Sequence, residues 1–263
     1  MNRAHDLIRE AINAVDALAR RATVPFIFEQ GKRAESVGTG TLFEVNGQNL
    51  IVTAGHVANN FKRYELGIPS GKDRRDIWSP GEGLVTEVIE HDVAVFRLDN
   101  SQSIMQLKAG WEFLTPSNVS LDAPDRNVAF FLHGYPQATS PKVGGEIRAV
   151  PVSLVMGLYN GPLDGFRENA PYDQSADLLL VHRAQGFEPG VGQSQVPKLD
   201  GMSGSSIWAV DLPRGGSEGR IWTPRESAKI IAVMISTYDN HWIRSKRWWV
   251  INPILDKITK GTI

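Results

Sequence analysis

Residues 38–45 and 50–53 are two apolar, strand-like stretches, Gly-Thr-Gly-Thr-Leu-Phe-Glu-Val and Leu-Ile-Val-Thr, with Asn46-Gly47 in the turn between them. Asn and Gly both tolerate positive φ, which a tight hairpin turn requires at its central positions. The pair predicts a β-hairpin. Segments 24–29, 84–89, 93–98, 127–132, 178–182, 207–210, 229–236 and 248–251 read as further short strands, with one or two more inside 146–158. Many short strands separated by turn signals favour an all-β chain of barrel or sandwich class.

Helices bracket this β region. Over residues 2–20, Leu7, Ile8, Ile12, Val15 and Leu18 fall mostly three or four apart, leaving the charges on the other face. Such a helix either packs on the main domain or docks a partner protein. At the other end Asn252 reads as an N-cap and Pro253 as the first helical position, with Ile254, Leu255 and Ile258 on one face. Residues 59–80 read as a polar excursion with one irregular strand. Residues 99–127, with Pro116 and Pro124, read as the connection between two halves. Residues 160–177, 183–198 and 211–228 read as loops. The expected organisation is a helix over 1–22, a β unit over about 23–110, a second over about 125–252, and a helix over 253–260.

Composition excludes several function classes. The 41% apolar residues are ample for a core. The net charge of −1 builds no basic field for nucleic acid. With no cysteine there is no disulfide framework, thiolate metal site or cysteine nucleophile, which also fits a reducing compartment. The first twenty residues carry Arg3, Asp6, Arg9, Glu10 and Asp16 and lack the apolar stretch of a signal peptide. No run approaches a membrane span. The expectation is a soluble cytoplasmic protein with no membrane or nucleic-acid partner.

Three places carry chemistry. His56 ends the strand-like stretch that runs from 50–53 into Ala54-Gly55-His56-Val57; Asp92 stands just before Val93-Ala94-Val95-Phe96; Ser203 lies in Asp200-Gly201-Met202-Ser203-Gly204-Ser205, just before another apolar run. Singly they read as a structural histidine, a turn aspartate and a glycine-rich turn. Together they supply a nucleophile, a base and an orienting acid. A serine hydroxyl attacks only when a neighbouring base takes its proton. Imidazole titrates near neutrality and does this, and a carboxylate on the other ring nitrogen fixes its tautomer. His91 lies beside the proposed acid and lacks the strand-end position. His5, His133, His182 and His241 lack ligand spacing, so no metal and no cofactor is inferred.

The motifs resemble those of the chymotrypsin/trypsin-like serine proteases. Thr53-Ala54-Gly55-His56-Val57 is similar to their Thr-Ala-Ala/Gly-His, and residues 92–98 to their Asp-Ile-Ala-Leu-Leu-x-Leu. Residues 201–205 resemble a variant of Gly-Asp-Ser-Gly-Gly. The order, with serine last and a strand after it, is not that of an α/β-hydrolase. Over roughly residues 38–258 the resemblance implies two packed six-stranded antiparallel Greek-key barrels with the site between them. It implies catalytic His56, Asp92 and Ser203, and an oxyanion hole from the N–H groups of Gly201 and Ser203. The substrate implied is a protein or peptide, cleaved through an acyl-enzyme.

Departures from the family carry information too. Met202 replaces the aspartate that pairs with a new N-terminus in the zymogens, and no Ile-Val-Gly-Gly-like start is present. Activation by N-terminal cleavage is therefore not expected, which leaves a constitutive site or one ordered by a partner. Pro197 stands where trypsin binds basic side chains, and the pocket-wall strand reads Ser236-Thr237-Tyr238. Pro197, Lys198, Ser236 and Tyr238 are the expected substrate-binding positions, without a preference for Arg or Lys. No PDZ-like extension is expected after the barrels. The alternative is a catalytically silent fold that binds a partner.

Overall fold

The computed structural model describes the chain apart from residues 1–2, 31–32, 62–65, 80–84, 123–127, 141, 144–145, 167–169, 183–184, 189–191, 213–221, 239–240 and 261–263. Expected features at Leu84, Pro124 and Asn127 lie outside the described residues. The fold is mostly β, in two large antiparallel sheets and one two-stranded one, with a helix at each end of the chain.

After α1 (Arg3–Ala22) come β1 (Thr23–Gln30), β2 (Arg33–Val45), β3 (Gln48–Ala54), α2 (Gly55–Phe61), β4 (Leu66–Ser70), β5 (Asp76–Trp78), β6 (Val85–Val88) and β7 (Val93–Leu98). The strands form one sheet in the order β5-β4-β1-β2-β3-β7-β6. The β2–β3 turn is as expected, with Asn46 at φ 50° and Gly47 at φ 77°. Helix α3 (Ser101–Gly110), capped by Asn100, occupies much of the connecting segment.

The rest comprises β8 (Ala129–Gly134), the short pair β9 (Lys142–Val143) and β10 (Glu146–Ile147), β11 (Val152–Met156), β12 (Asp177–Val181), β13 (Gln185–Glu188), β14 (Gly192–Gln195), β15 (Ser206–Val210), α4 (Pro224–Ser227), β16 (Ala228–Tyr238), β17 (Trp242–Arg247) and α5 (Trp248–Thr259). The second sheet runs β12-β17-β16-β15-β8-β11-β13-β14. Set aside the three-residue β5 and the β13–β14 hairpin, and six strands remain in each sheet. Numbered within their sheets they run 4-1-2-3-6-5 and 3-6-5-4-1-2, one cycle opened at different joints. At the second joint the chain past β11 returns to β12: Tyr159 N–H donates to Leu179 O at 3.0 Å, and Val181 N–H to Gly157 O at 2.9 Å.

Strand alternation divides the apolar residues among three clusters. Ile51 and Phe96 face the interior of the first sheet with Phe26 and Leu42. Ile207 and Met234 face that of the second with Phe130 and Leu154. Their neighbours Leu50, Val52, Val95, Trp208 and Val233 face a seam between the sheets. Both terminal helices close that seam, α1 with Val15, Leu18 and Ala22 and α5 with Trp248, Ile251 and Ile258. From Ile12 onward the apolar face of α1 is thus buried within the chain's own core, while Leu7 is exposed.

A polar tie fastens α1 to the second sheet. His133 Nδ1 lies 2.7 Å from Ser153 Oγ, and the Ser153 hydroxyl donates to Asp16. Arg20 Nε donates to the other Asp16 oxygen at 2.6 Å. Burial raises the Asp16 carboxyl pKa, but the hydrogen bonds from His133, Ser153 and Arg20 outweigh it and bring the pKa to about 2. Burial pushes His133 below its ordinary value, partly offset by Asp16.

Four expectations are corrected. Residues 248–251 are the first turn of α5, not a strand, so the helix begins at Trp248 with Arg247 as cap and Pro253 inside it. Strand β17 precedes it where none was expected. The excursion over 59–80 holds β4, every residue of which is buried, and β5 as well. The stretch before Lys198 contains the β13–β14 hairpin.

Candidate active site

The register of β3 on β7 sets Ala54 opposite Val93. His56 lies two residues beyond Ala54, near the start of α2, and Asp92 immediately precedes Val93. The pairing therefore delivers a ring and a carboxylate to one place. Asp92 adopts φ 52°, a left-handed conformation that Asp tolerates better than most residues. There its carbonyl accepts Gly55 N–H at 2.9 Å and its Oδ1 accepts His56 N–H at 2.7 Å. The second oxygen, Oδ2, lies 2.8 Å from His56 Nδ1. One carboxylate grips both the backbone and the ring of His56. With Nδ1–H donated to it, Nε2 carries the lone pair. The two side chains are 49% and 36% exposed, so the pair is open to an incoming molecule.

Ser203 arrives from the second sheet on two consecutive β-turns. Met202 N–H donates to Leu199 O at 2.9 Å, and Ser205 N–H to Met202 O at 3.0 Å. Gly201 (φ 89°) and Gly204 (φ 94°) hold the third position of each turn, where type II geometry requires positive φ. Space excludes a side chain as well. A Cβ on Gly201 would lie 2.9 Å from both Gln137 N and Tyr135 O; one on Gly204 would lie 1.9 Å from Thr39 O and 3.1 Å from Ala54 N. The last contact seats the serine turn on the end of β3, two residues before His56.

Every peptide carbonyl from Asp200 to Ser203 is taken. Asp200 O accepts Gln137 N–H at 2.7 Å, Gly201 O the Thr39 hydroxyl at 2.9 Å, Met202 O the Ser205 N–H, and Ser203 O the Thr39 N–H at 2.9 Å. Among the described residues, the N–H groups of Gly201 and Ser203 donate to nothing. In a planar trans peptide the N–H points opposite the carbonyl. Anchoring the Asp200 and Met202 carbonyls therefore fixes the aim of these two free donors. Fixed, unpaired N–H groups of this kind suit an oxygen on which negative charge develops.

The Ser203 hydroxyl rests 3.5 Å from Ile235 O, at the long limit of a hydrogen bond. Among the described residues it makes no hydrogen bond to His56. Gly204 N–H donates to Met234 O and Met234 N–H to Ser205 O, each at 2.8 Å, so the serine turn is also laced to β16. That brings Ser236, the residue after Ile235, beside the site and leaves it exposed. Tyr238 lies two residues on, stacked on His241 at 4.7 Å and lying over Gly165. Pro197 is half-buried and Lys198 exposed, and no described hydrogen bond or ion pair joins either to His56, Asp92 or Ser203. Met202 is fully buried in the second sheet's core. His133 is fully buried as well.

Sequence reasoning missed Thr39 and its neighbour Ser36, whose hydroxyl donates to Tyr135 O at 3.0 Å. The signal was Gly38-Thr39-Gly40, since glycines inside a strand mark close approach of other groups. A Cβ on Gly38 would lie 2.3 Å from Val57 Cγ1, and one on Gly40 2.7 Å from Ile51 Cγ2.

Among the described residues no three His, Cys, Asp or Glu side chains group as metal ligands. Among them, too, no helix is long and apolar enough to cross a membrane. No protein-family model matches the chain, and no curated protein matches its sequence. One similar solved structure comes from work on how aromatic interactions drive the coupled folding and binding of the intrinsically disordered Sesbania mosaic virus VPg protein. It aligns over 88% of this chain and 87% of its own, with 13% identity and a TM-score of 0.46.

Proposed function

We propose that the chain is a serine endopeptidase of trypsin-like architecture, its two sheets being Greek-key barrels with His56, Asp92 and Ser203 in the cleft. The observation that carries this reading is the double grip of Asp92 on the His56 backbone and ring, with the Ser203 turn seated on the same strand end. In the proposed reaction Ser203 Oγ attacks a peptide carbonyl while its proton passes to His56 Nε2. The carbonyl oxygen becomes an oxyanion and takes the free N–H groups of Gly201 and Ser203. Collapse breaks the C–N bond, the amine leaves with the proton from His56, and water then hydrolyses the ester by the same steps. Pro197, Lys198, Ser236 and Tyr238 line the substrate path in this reading, and the substrate is a specific protein partner in the cytoplasm.

A second reading, a catalytically silent partner-binding module, draws on the Ser203 hydroxyl resting toward Ile235 O. Comparing protein N-termini between cells making the wild-type chain and cells making Ser203→Ala separates the two. New N-termini confined to wild-type cells support the endopeptidase. Identical N-termini, with equal partner recovery on both chains, support the binding module.

A further inference from the structure

The oxyanion-side turn belongs to the second sheet, yet two of its four anchored carbonyls are held by one residue of the first. Thr39 donates its N–H to Ser203 O and its hydroxyl to Gly201 O, each at 2.9 Å. Its hydroxyl accepts Tyr135 N–H at 3.2 Å, and its carbonyl accepts the Thr53 hydroxyl at 2.7 Å. Every polar atom of Thr39 is engaged, and the side chain is buried with the residue. Met202, by contrast, offers no charge with which to fix the turn from its own position. Between the anchored peptides stands Gly201, whose missing side chain leaves its backbone the freest in the turn.

We infer that Thr39 is the positioning residue that holds the Gly201–Ser203 turn in its donor-presenting form, so that the site stands assembled without proteolytic activation. This rests on the serine-hydrolase reading. Thr39 touches no reacting atom. It acts by fixing the Gly201–Met202 and Ser203–Gly204 peptides, which flank the Ser203 donor and follow the Gly201 donor. Removal of the hydroxyl takes that partner from the part-buried Gly201 O and the buried Tyr135 N–H, and rotation about Gly201 then frees its carbonyl to turn away. The same residue ties the nucleophile's turn to the sheet that carries His56 and Asp92.

The test is the second-order rate at which an alkyl fluorophosphonate labels Ser203 in the wild-type chain, Thr39→Val and Thr39→Ser. Fluorophosphonates react through an adduct whose phosphoryl oxygen occupies the oxyanion position. Thr39→Val keeps the shape and loses the hydroxyl, and labelling slows roughly ten- to a hundredfold, short of the 10²–10³ loss typical when a donor is deleted outright. Thr39→Ser, which keeps the hydroxyl, restores the rate to within about threefold of wild type. The pH midpoint of labelling stays put in all three, because the His56–Asp92 pair is untouched, whereas general damage to the site moves it. Should the valine variant not fold, Thr39→Ala replaces it in the comparison. A valine or alanine variant labelled as fast as wild type, or a serine variant as slow as valine, overturns the inference while leaving the hydrolase reading intact. A wild-type chain that is never labelled overturns both.

Discussion

Thr39 and Ser203 lie on different sheets, and the N–H of Thr39 donates to the Ser203 carbonyl at 2.9 Å. His56 follows the end of β3 and Asp92 precedes β7, both strands of the sheet that holds Thr39. Ser203, His56 and Asp92 are therefore registered to one another through backbone hydrogen bonds, with no disulfide to assist, since the chain has no cysteine.

Asp92→Asn keeps the size and the left-handed backbone, which Asn adopts readily. It removes the charge and turns an amide toward the His56 ring. Fluorophosphonate labelling should fall by about 10³–10⁴-fold, the scale of the same exchange in serine-protease triads, with the thermal midpoint nearly unchanged. Labelling at the wild-type rate contradicts an orienting role for Asp92.

Gly204 and Gly47 both have positive φ but differ in their surroundings. A Cβ on Gly204 would lie 1.9 Å from Thr39 O, whereas nothing lies within 4 Å of one on Gly47. Gly204→Ala should cost at least about 3 kcal/mol, and Gly47→Ala about 1 kcal/mol from backbone strain alone. Urea midpoints measure both. Equal losses would mean that the serine turn is not pressed against β2 and β3.

The tie between Asp16, Ser153 and His133 makes stability depend on pH. The folded pKa of Asp16, about 2, lies below the 3.8 of the free carboxyl. Its contribution is therefore present above pH ~4 and lost as the pH falls through about 2. His133 is held below its ordinary 6.5, so the unfolded chain takes up a proton first and stability falls as the pH drops below that value. Asp16→Asn should destabilise the chain by about 1 kcal/mol at pH 7, a figure discounted for the solvent-facing part of the carboxylate, and by progressively less as the pH falls through about 2. A constant difference from pH 7 to pH 2, read from urea midpoints, contradicts this.

Leu18 is fully buried at the seam. Leu18→Ala should cost roughly 2–5 kcal/mol, measured by the same unfolding. A cost under 1 kcal/mol would return α1 to the role of a docking element.

Much of this fold can be read from the chain because the carriers are local. Asn46-Gly47 sets a hairpin by its own backbone preferences, and the α1 pattern repeats at helical spacing. The three motifs are expected at strand ends and turns, and His56, Asp92 and Ser203 lie beside the end of β3, before β7 and in the turn before β15. What stayed hidden depends on contacts distant in sequence. Strand β17 reads as polar because it contains Arg244 and Lys246, yet both are buried against Asp177 of β12, at 2.7 and 2.6 Å. Paired charges occupy interior positions that a hydrophobic pattern cannot report. Trp248-Trp249-Val250-Ile251 are residues that favour strands. They form a helical turn because Trp248 and Ile251 reach the same seam as Ile254 and Ile258. Thr39 escaped notice because both its site partners, Gly201 and Ser203, lie more than 160 residues away along the chain.

The most direct measurement is fluorophosphonate labelling followed by peptide mapping of the wild-type chain, Ser203→Ala and His56→Ala. A single adduct on Ser203, absent from Ser203→Ala and slowed at least a thousandfold in His56→Ala, is the predicted result. An unlabelled wild-type chain, or an adduct that survives Ser203→Ala, contradicts a Ser203 nucleophile activated by His56.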